Sequence, residues 1–142
     1  MDTVAVAREH IRDLVARYNA NGDSGRFAQV LDLFADDAVM EITGDGIYRG
    51  KDEIMTIFTG ARDRLTDTTA SSGYLRHFTA THQIDVLDET RANGRCYFSV
   101  LTPIGLDHWG RYIDRYTHDG ERWLFAARTV TVDGYAAGSL YA

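Results

Sequence analysis

From Val4 to Asn21 the apolar positions Val4, Ala7, Ile11, Leu14, Val15 and Tyr18 recur in steps of three and four. That period puts them on one face of a helix, and Gly22 suits its end. Phe27, Val30, Leu31 and Phe34 repeat the helical spacing after the turn Asn21-Gly22-Asp23-Ser24-Gly25. A second helix is predicted there, capped by Asp23 or Ser24. Ala38–Thr43 reads as a short strand, Gly44-Asp45-Gly46 as a turn, and Ile47-Tyr48-Arg49 as a segment pairing back on that strand. After Gly50, the positions Ile54, Phe58, Ala61 and Leu65 give a third helix, followed by a polar loop from Thr66 to Gly73. The period then changes to two. Tyr74–Val86, Gly94–Thr102, Leu106–Tyr116 and Trp123–Val132 read as strands. His118-Asp119-Gly120-Glu121 marks a hairpin between the last two. Helices followed by an antiparallel meander predict an α+β domain. The Gly-, Ala-, Ser- and Tyr-containing tail Asp133–Ala142 is either a frayed end or a flap over a pocket.

The 142 residues suit one domain, read as 1–142, large enough to bury a core without staples. The formal charge is −6 and the only lysine is Lys51. With no basic run, a phosphate backbone or anionic membrane is excluded as the expected partner, and a neutral or weakly polar small molecule fits better. The single cysteine, Cys96, lies in an alternating apolar run and is expected to be a buried free thiol. No Cys/His cluster has zinc spacing, no phosphate-cradling glycine loop occurs, and no nucleophile elbow is present. The opening residues lack the charge and apolar run of a signal peptide, and no segment has the length of a membrane span. A cytoplasmic protein needing no metal or cofactor is the expectation.

Two residues carry the candidate chemistry. Asp23 lies in the turn after the first helix, and His77 opens the first long strand. A carboxylate holding one imidazole nitrogen leaves the other as a base and stabilises the imidazolium that forms. Taken singly, Asp23 reads first as a helix cap and His77 as a strand-end polar residue. Strict alternation places His82, five residues on, on the opposite sheet face from His77, so its expected role is structural, although a bulge would reverse that. His10 is expected on the outer helix face and His118 in a turn; His108 gives no signal. On the third long strand, alternation sends Tyr112, Asp114 and Tyr116 to one face and Trp109, Arg111, Ile113 and Arg115 to the other. Tyr112 and Asp114 are thereby pocket candidates, with a cross-strand pair such as Asp114–Arg128 as the alternative. Tyr18 and Tyr48 are either donors to a substrate oxygen or plain core.

Several runs together resemble the SnoaL-like domains of the nuclear transport factor 2-like superfamily: Ile11-Arg12-Asp13-Leu14-Val15-Ala16-Arg17-Tyr18, Gly22-Asp23, Leu33-Phe34-Ala35-Asp36-Asp37-Ala38, Gly46-Ile47-Tyr48-Arg49-Gly50, Arg76-His77-Phe78 and Gly110-Arg111-Tyr112-Ile113-Asp114. The resemblance covers nearly the whole chain. It implies a cone: a curved antiparallel sheet wrapped by about three N-terminal helices around one pocket. Members of that family include dehydratases, dehydrochlorinases and polyketide cyclases. By position the resemblance puts the base on His77 and its support on Asp23, with Tyr18 as in a bile-acid dehydratase. Thr81 departs from it, since many relatives have Asn there.

The leading expectation is a cofactor-independent lyase, or a cyclase or isomerase, acting on a hydrophobic, cyclic small molecule. His77 and Asp23 would be catalytic. Tyr18, Tyr48 and Tyr112 would orient the substrate, with Asp114 and Arg128 in or behind the pocket wall. The alternatives are a non-catalytic binding or partner domain and a small subunit of a ring-hydroxylating dioxygenase. A homo-oligomer, dimer or trimer, is expected by analogy with the family.

Overall fold

α1 runs over Thr3–Asp23, so the helix reaches the carboxylate that the sequence left in a turn. Residues 3–66 and 74–142 are described in this computed structural model; of the loop expected over Thr66–Gly73, Thr66 ends a helix and 67–73 lie outside the described residues. Ile11, Leu14, Val15 and Tyr18 on the apolar face of α1 are all buried. At roughly 1.5–3 kcal/mol for a fully buried large apolar side chain, such a stripe rather than helix propensity holds α1 on the sheet.

α2 is shorter than its periodicity suggests, Phe27–Leu31. Phe34 belongs instead to β1, Phe34–Ile42. The reason is tertiary: the Phe125 amide donates to the Leu33 carbonyl at 2.9 Å, pulling the chain out of the helix and into the sheet. Neither Asp23 nor Ser24 caps α2. Its N-cap position is Arg26, which makes no side-chain cap hydrogen bond, and Asp23 is engaged elsewhere.

β2 (Gly46–Arg49) pairs back on β1 across the Gly44 turn, as expected, and α3 spans Gly50–Thr66. Ile54 on α3 is fully buried and Phe58 packs against the core. The long strands are β3 (Arg76–Val86), β4 (Arg91–Thr102), β5 (Gly105–His118) and β6 (Trp123–Tyr135). They form one sheet in the order β2-β1-β6-β5-β4-β3. All neighbours are antiparallel except β1 and β6, which run parallel. The β5–β6 turn is built as its sequence predicts: the Asp119 carboxylate accepts from the Glu121 and Arg122 amides, each at 2.9 Å.

The sheet is curved and does not close on itself. Its inner face, carrying Phe98, Tyr112, Tyr116 and Phe125, packs under α1 and α3, while its outer face exposes Phe78, Tyr97 and Ile113. Cys96 is buried and free. Burial pushes its thiol pKa up to about 11, which makes it inert packing.

Candidate active site

Between the inner face of the sheet and the helices lies a cavity of about 810 Å³. Its walls are mainly apolar, with Met40, Ile57, Phe58, Phe98 and Val130 among them. Polar groups are interspersed among them, including Asn19, Asp23, Thr43, Arg62, His77 and His108, a composition that suits a mainly apolar ligand oriented by polar contacts.

The most organised of these groups are Asp23 and His77. The last turn of α1 delivers Asp23 to the first residues of β3. One carboxylate oxygen accepts the His77 backbone amide at 2.9 Å and the other lies 2.6 Å from His77 Nδ1. The two bonds hold the same residue through main chain and ring together, so the imidazole is fixed in position and in rotation. The Asp23 side chain is nearly enclosed, 7% exposed, while the His77 ring retains 22%. With Nδ1 committed, Nε2 is the nitrogen left to the cavity, which both residues line.

Tyr18, Tyr48 and Tyr112 also line it. Tyr18 stands at the centre of an aromatic cluster, edge-on to Phe34, Phe58, Tyr112 and Phe125. Burial raises its phenol pKa against the opposing pull of the Arg128 charge, so it remains a hydrogen donor. Tyr112 stacks on Phe98 with centroids 4.6 Å apart, and its hydroxyl donates to Asn19 Oδ1 at 3.3 Å. Burial raises this phenol too. The Tyr48 hydroxyl donates to Asp45 Oδ2 at 2.6 Å, which fixes the ring at the Gly44 turn and spends its hydrogen.

Residues 4–129 match the SnoaL-like domain family. The chain belongs to that family. No curated protein matches the sequence. Among solved structures, this SnoaL-like chain is similar to a hexachlorocyclohexane dehydrochlorinase from Novosphingobium barchaimii, at 16% identity and a TM-score of 0.77, covering 94% of this chain and 92% of that one. It is similar to a proposed scytalone dehydratase from Novosphingobium aromaticivorans, at 18% identity and a TM-score of 0.80, covering 95% and 89%. It also resembles the beta subunit of a proposed aromatic-ring-hydroxylating dioxygenase from the same organism, at 20% identity and a TM-score of 0.76, covering 99% and 98%. These likenesses show a shared nuclear transport factor 2-like fold.

Asp114 and Arg128 are not part of the cavity wall of this SnoaL-like domain. They face each other across β5 and β6, where Arg128 Nε and Nη2 donate to the two Asp114 oxygens at 2.7 and 2.9 Å. Neither side chain is exposed at all. The guanidinium carbon lies 3.8 Å from the Tyr112 ring centroid, 4.3 Å from Tyr18 and 4.4 Å from Phe125. Burial opposes the charge, but Asp114 outweighs it and raises the guanidinium pKa well above its ordinary value. The pair is thus a buried support behind two cavity tyrosines, the cross-strand pairing that the sequence offered as the alternative to a place in the wall itself.

His82 is also displaced from its expected face. Thr81 and His82 together oppose one residue of β4, a β-bulge in which Thr81 takes φ +55°. The alternation resets, and His82 turns inward to place Nε2 3.1 Å from the Tyr116 hydroxyl. That hydroxyl donates its single hydrogen to Asp114 at 2.8 Å, so His82 is the donor in its contact. Burial lowers the His82 pKa. His10 is exposed on the helix as expected, and His118 accepts from the Gly120 amide in the hairpin.

His108, which gave no sequence signal, lines the cavity. Its ring is held by the preceding residue, Asp107, with Nδ1 2.8 Å from Oδ1. Adjacent strand residues normally point to opposite faces. Here Val100 pairs with His108 and Leu101 with Leu106, making Asp107 the extra residue of a bulge. An Asp-His dipeptide beside the Pro103-Ile104-Gly105 break was the available signal. Among the described residues no cluster of potential ligands suits a metal ion, and no helix is long and apolar enough to cross a membrane.

Proposed function

We propose that this SnoaL-like domain is a cofactor-independent lyase, or a cyclase or isomerase, in which His77 removes a proton from carbon on a hydrophobic, cyclic substrate. The observation that carries this reading is the 2.6 Å contact between His77 Nδ1 and Asp23 at the wall of a largely apolar cavity. The carboxylate accepts the Nδ1 hydrogen, which leaves the Nε2 lone pair as the base. As the C–H bond breaks, its electron pair either forms a double bond while a group on the neighbouring carbon departs with its own bonding pair, or is taken up as an enolate; the proton moves to Nε2, and Asp23 stabilises the imidazolium. Tyr18, held as a neutral phenol, borders the space in which the developing oxygen charge would lie, and Tyr112, its hydrogen given to Asn19, shapes that wall.

The test is proton exchange at an acidic carbon in heavy water. With 2-tetralone, a cyclic ketone of suitable size, the protein should accelerate exchange next to the carbonyl as followed by NMR. His77→Ala should reduce that rate by roughly 10²–10⁴-fold, the usual share of a general base, without altering the folded spectrum. Exchange undiminished in the variant would remove His77 from the mechanism.

The exposed Phe78, Tyr97 and Ile113 on the outer sheet face support a homo-oligomer joined through that face. Light scattering on eluting protein should give at least twice the 15.9 kDa chain mass, and Tyr97→Lys should return it to the monomer.

A further inference from the structure

Asp107 and His108 make a second carboxylate–imidazole pair in the same cavity, and its surroundings are more elaborate than a structural contact needs. Asp107 has no exposed surface. Its Oδ2 accepts from Thr102 Oγ1 at 3.0 Å, and its Oδ1, besides facing His108, accepts from Ser139 Oγ. Its backbone carbonyl accepts the Ala136 amide at 2.7 Å. Ser139 Oγ in turn accepts the Tyr141 amide at 3.1 Å. The segment after β6 is therefore fastened to Asp107 as a flap. The flap and the end of β6 lay two rings against the imidazole, Tyr141 at 4.9 Å and Tyr135 at 5.9 Å between centroids, while Phe98 closes a third side at 6.2 Å.

This arrangement settles the tautomer. An ionised carboxylate only accepts, so His108 Nδ1 carries the hydrogen and Nε2 carries a lone pair. Burial pushes the His108 pKa down, which keeps Nε2 unprotonated at neutral pH. Nε2 has no partner among the described residues and is the ring's one remaining polar atom. His77 and His108 both lie opposite Val100, one from β3 and the other from β5. They share a row across the sheet, two strand spacings or roughly 10 Å apart at the backbone. The Phe98 ring is 6.3 Å from His77 and 6.2 Å from His108.

We propose that the cavity takes an apolar ring bearing a hydroxyl group: His108 Nε2 accepts the hydroxyl's hydrogen bond while the carbon that loses its proton lies at His77. The C-terminal flap, through Ser139 and Asp107, positions His108 for this. The proposal rests on reading the cavity as a substrate site, but it concerns recognition, and its test does not depend on turnover.

The experiment compares 2-naphthol with 2-methoxynaphthalene, which keeps the ring and lacks the donor, by calorimetric titration of the full chain at neutral pH. The naphthol should bind roughly 10- to 100-fold tighter, because the ether leaves a buried acceptor unpaired. His108→Phe should bind the two compounds equally, whereas His77→Ala should retain the preference. Ser139→Ala should weaken the preference and leave the affinity for the ether unchanged. Equal binding by the unaltered protein, binding of neither compound, or a preference that survives His108→Phe and disappears in His77→Ala would overturn the proposal. Nitrogen-15 NMR of the unaltered protein guards against a misfolded variant: the His108 Nε2 resonance should move on adding naphthol and not on adding the ether, and an unmoved resonance overturns the proposal as well. Undiminished exchange in His77→Ala, with the naphthol preference intact, would sink only the base assignment at His77.

Discussion

A guanidinium with no access to water is tolerable only while its counter-charge stays in place. Arg128 has Asp114 on two of its nitrogens and aromatic faces around its plane. Arg128→Met removes the cation and strands a buried carboxylate, which costs about 3–5 kcal/mol. Urea denaturation should show that loss, and the double variant Arg128→Met with Asp114→Leu should recover much of it, because two apolar groups strand no charge. Equal losses in the single and double variants would mean that packing against Tyr18 and Tyr112, and not the charge, is what the arginine supplies. At this scale the sequence was partly legible. Alternation along β5 does turn Tyr112, Asp114 and Tyr116 to one face, and Asp114 and Arg128 are directly opposite in the observed register. The aromatic cage was not legible, since Tyr18 comes from α1 and Phe125 from β6, and no local pattern links them.

Element by element, the sequence failed where a strand breaks its own period. His82 was misplaced by counting in twos, because it lies in a bulge that offers two residues against one, and Asp107 went unnoticed in a second such bulge. Likewise, the helical spacing of Phe27 to Phe34 was real but was overridden at Leu33 by pairing with a strand some ninety residues later, a non-local contact that periodicity cannot register. The β3 bulge carries its own signature: Thr81 at φ +55° is a β-branched residue in the left-handed region, where L side chains with a branched Cβ are strained. Thr81→Asn keeps a polar side chain and suits that backbone. It should raise stability by about 1 kcal/mol in denaturant unfolding, with the His82–Tyr116 contact retained. A loss of stability would show that the threonine makes a compensating interaction. The opposite case is Gly110, where an added Cβ would lie 1.9 Å from the Thr131 carbonyl oxygen and 2.9 Å from the Phe98 ring. Gly110→Ala must therefore shift the β5–β6 pairing or the cavity floor, at a cost of about 1–3 kcal/mol by the same measurement.

For the molecule as a whole, the buried histidines decide how stability responds to mild acid. Burial lowers the pKa of both His82 and His108 from the ordinary 6.5. Between that value and their lower folded values the unfolded chain binds more protons than the folded one, so stability rises with pH across the window and falls as pH drops below about 6.5. Carboxylates depressed in the folded state act in a separate window. Asp107, held down by Ser139, His108 and Thr102 in spite of its burial, and Asp88, brought to about 2 chiefly by the Thr90 amide, lose their contributions only as pH falls through 3.8 and below. The net charge of −6 works the other way in the upper window, since protonation relieves repulsion between acidic groups. The histidine effect should nonetheless dominate, because it concerns groups taken out of water while the acidic residues are mostly exposed and screened. Thermal unfolding in 0.15 M salt should therefore show a midpoint that declines from pH 7.5 to 5.5. His82→Gln can still donate to Tyr116 and does not titrate, so it should flatten that decline while leaving the midpoint at pH 7.5 little changed. A midpoint that rises on acidification, or a slope untouched by the substitution, would show that His82 accepts its proton in the folded protein as readily as in the unfolded chain.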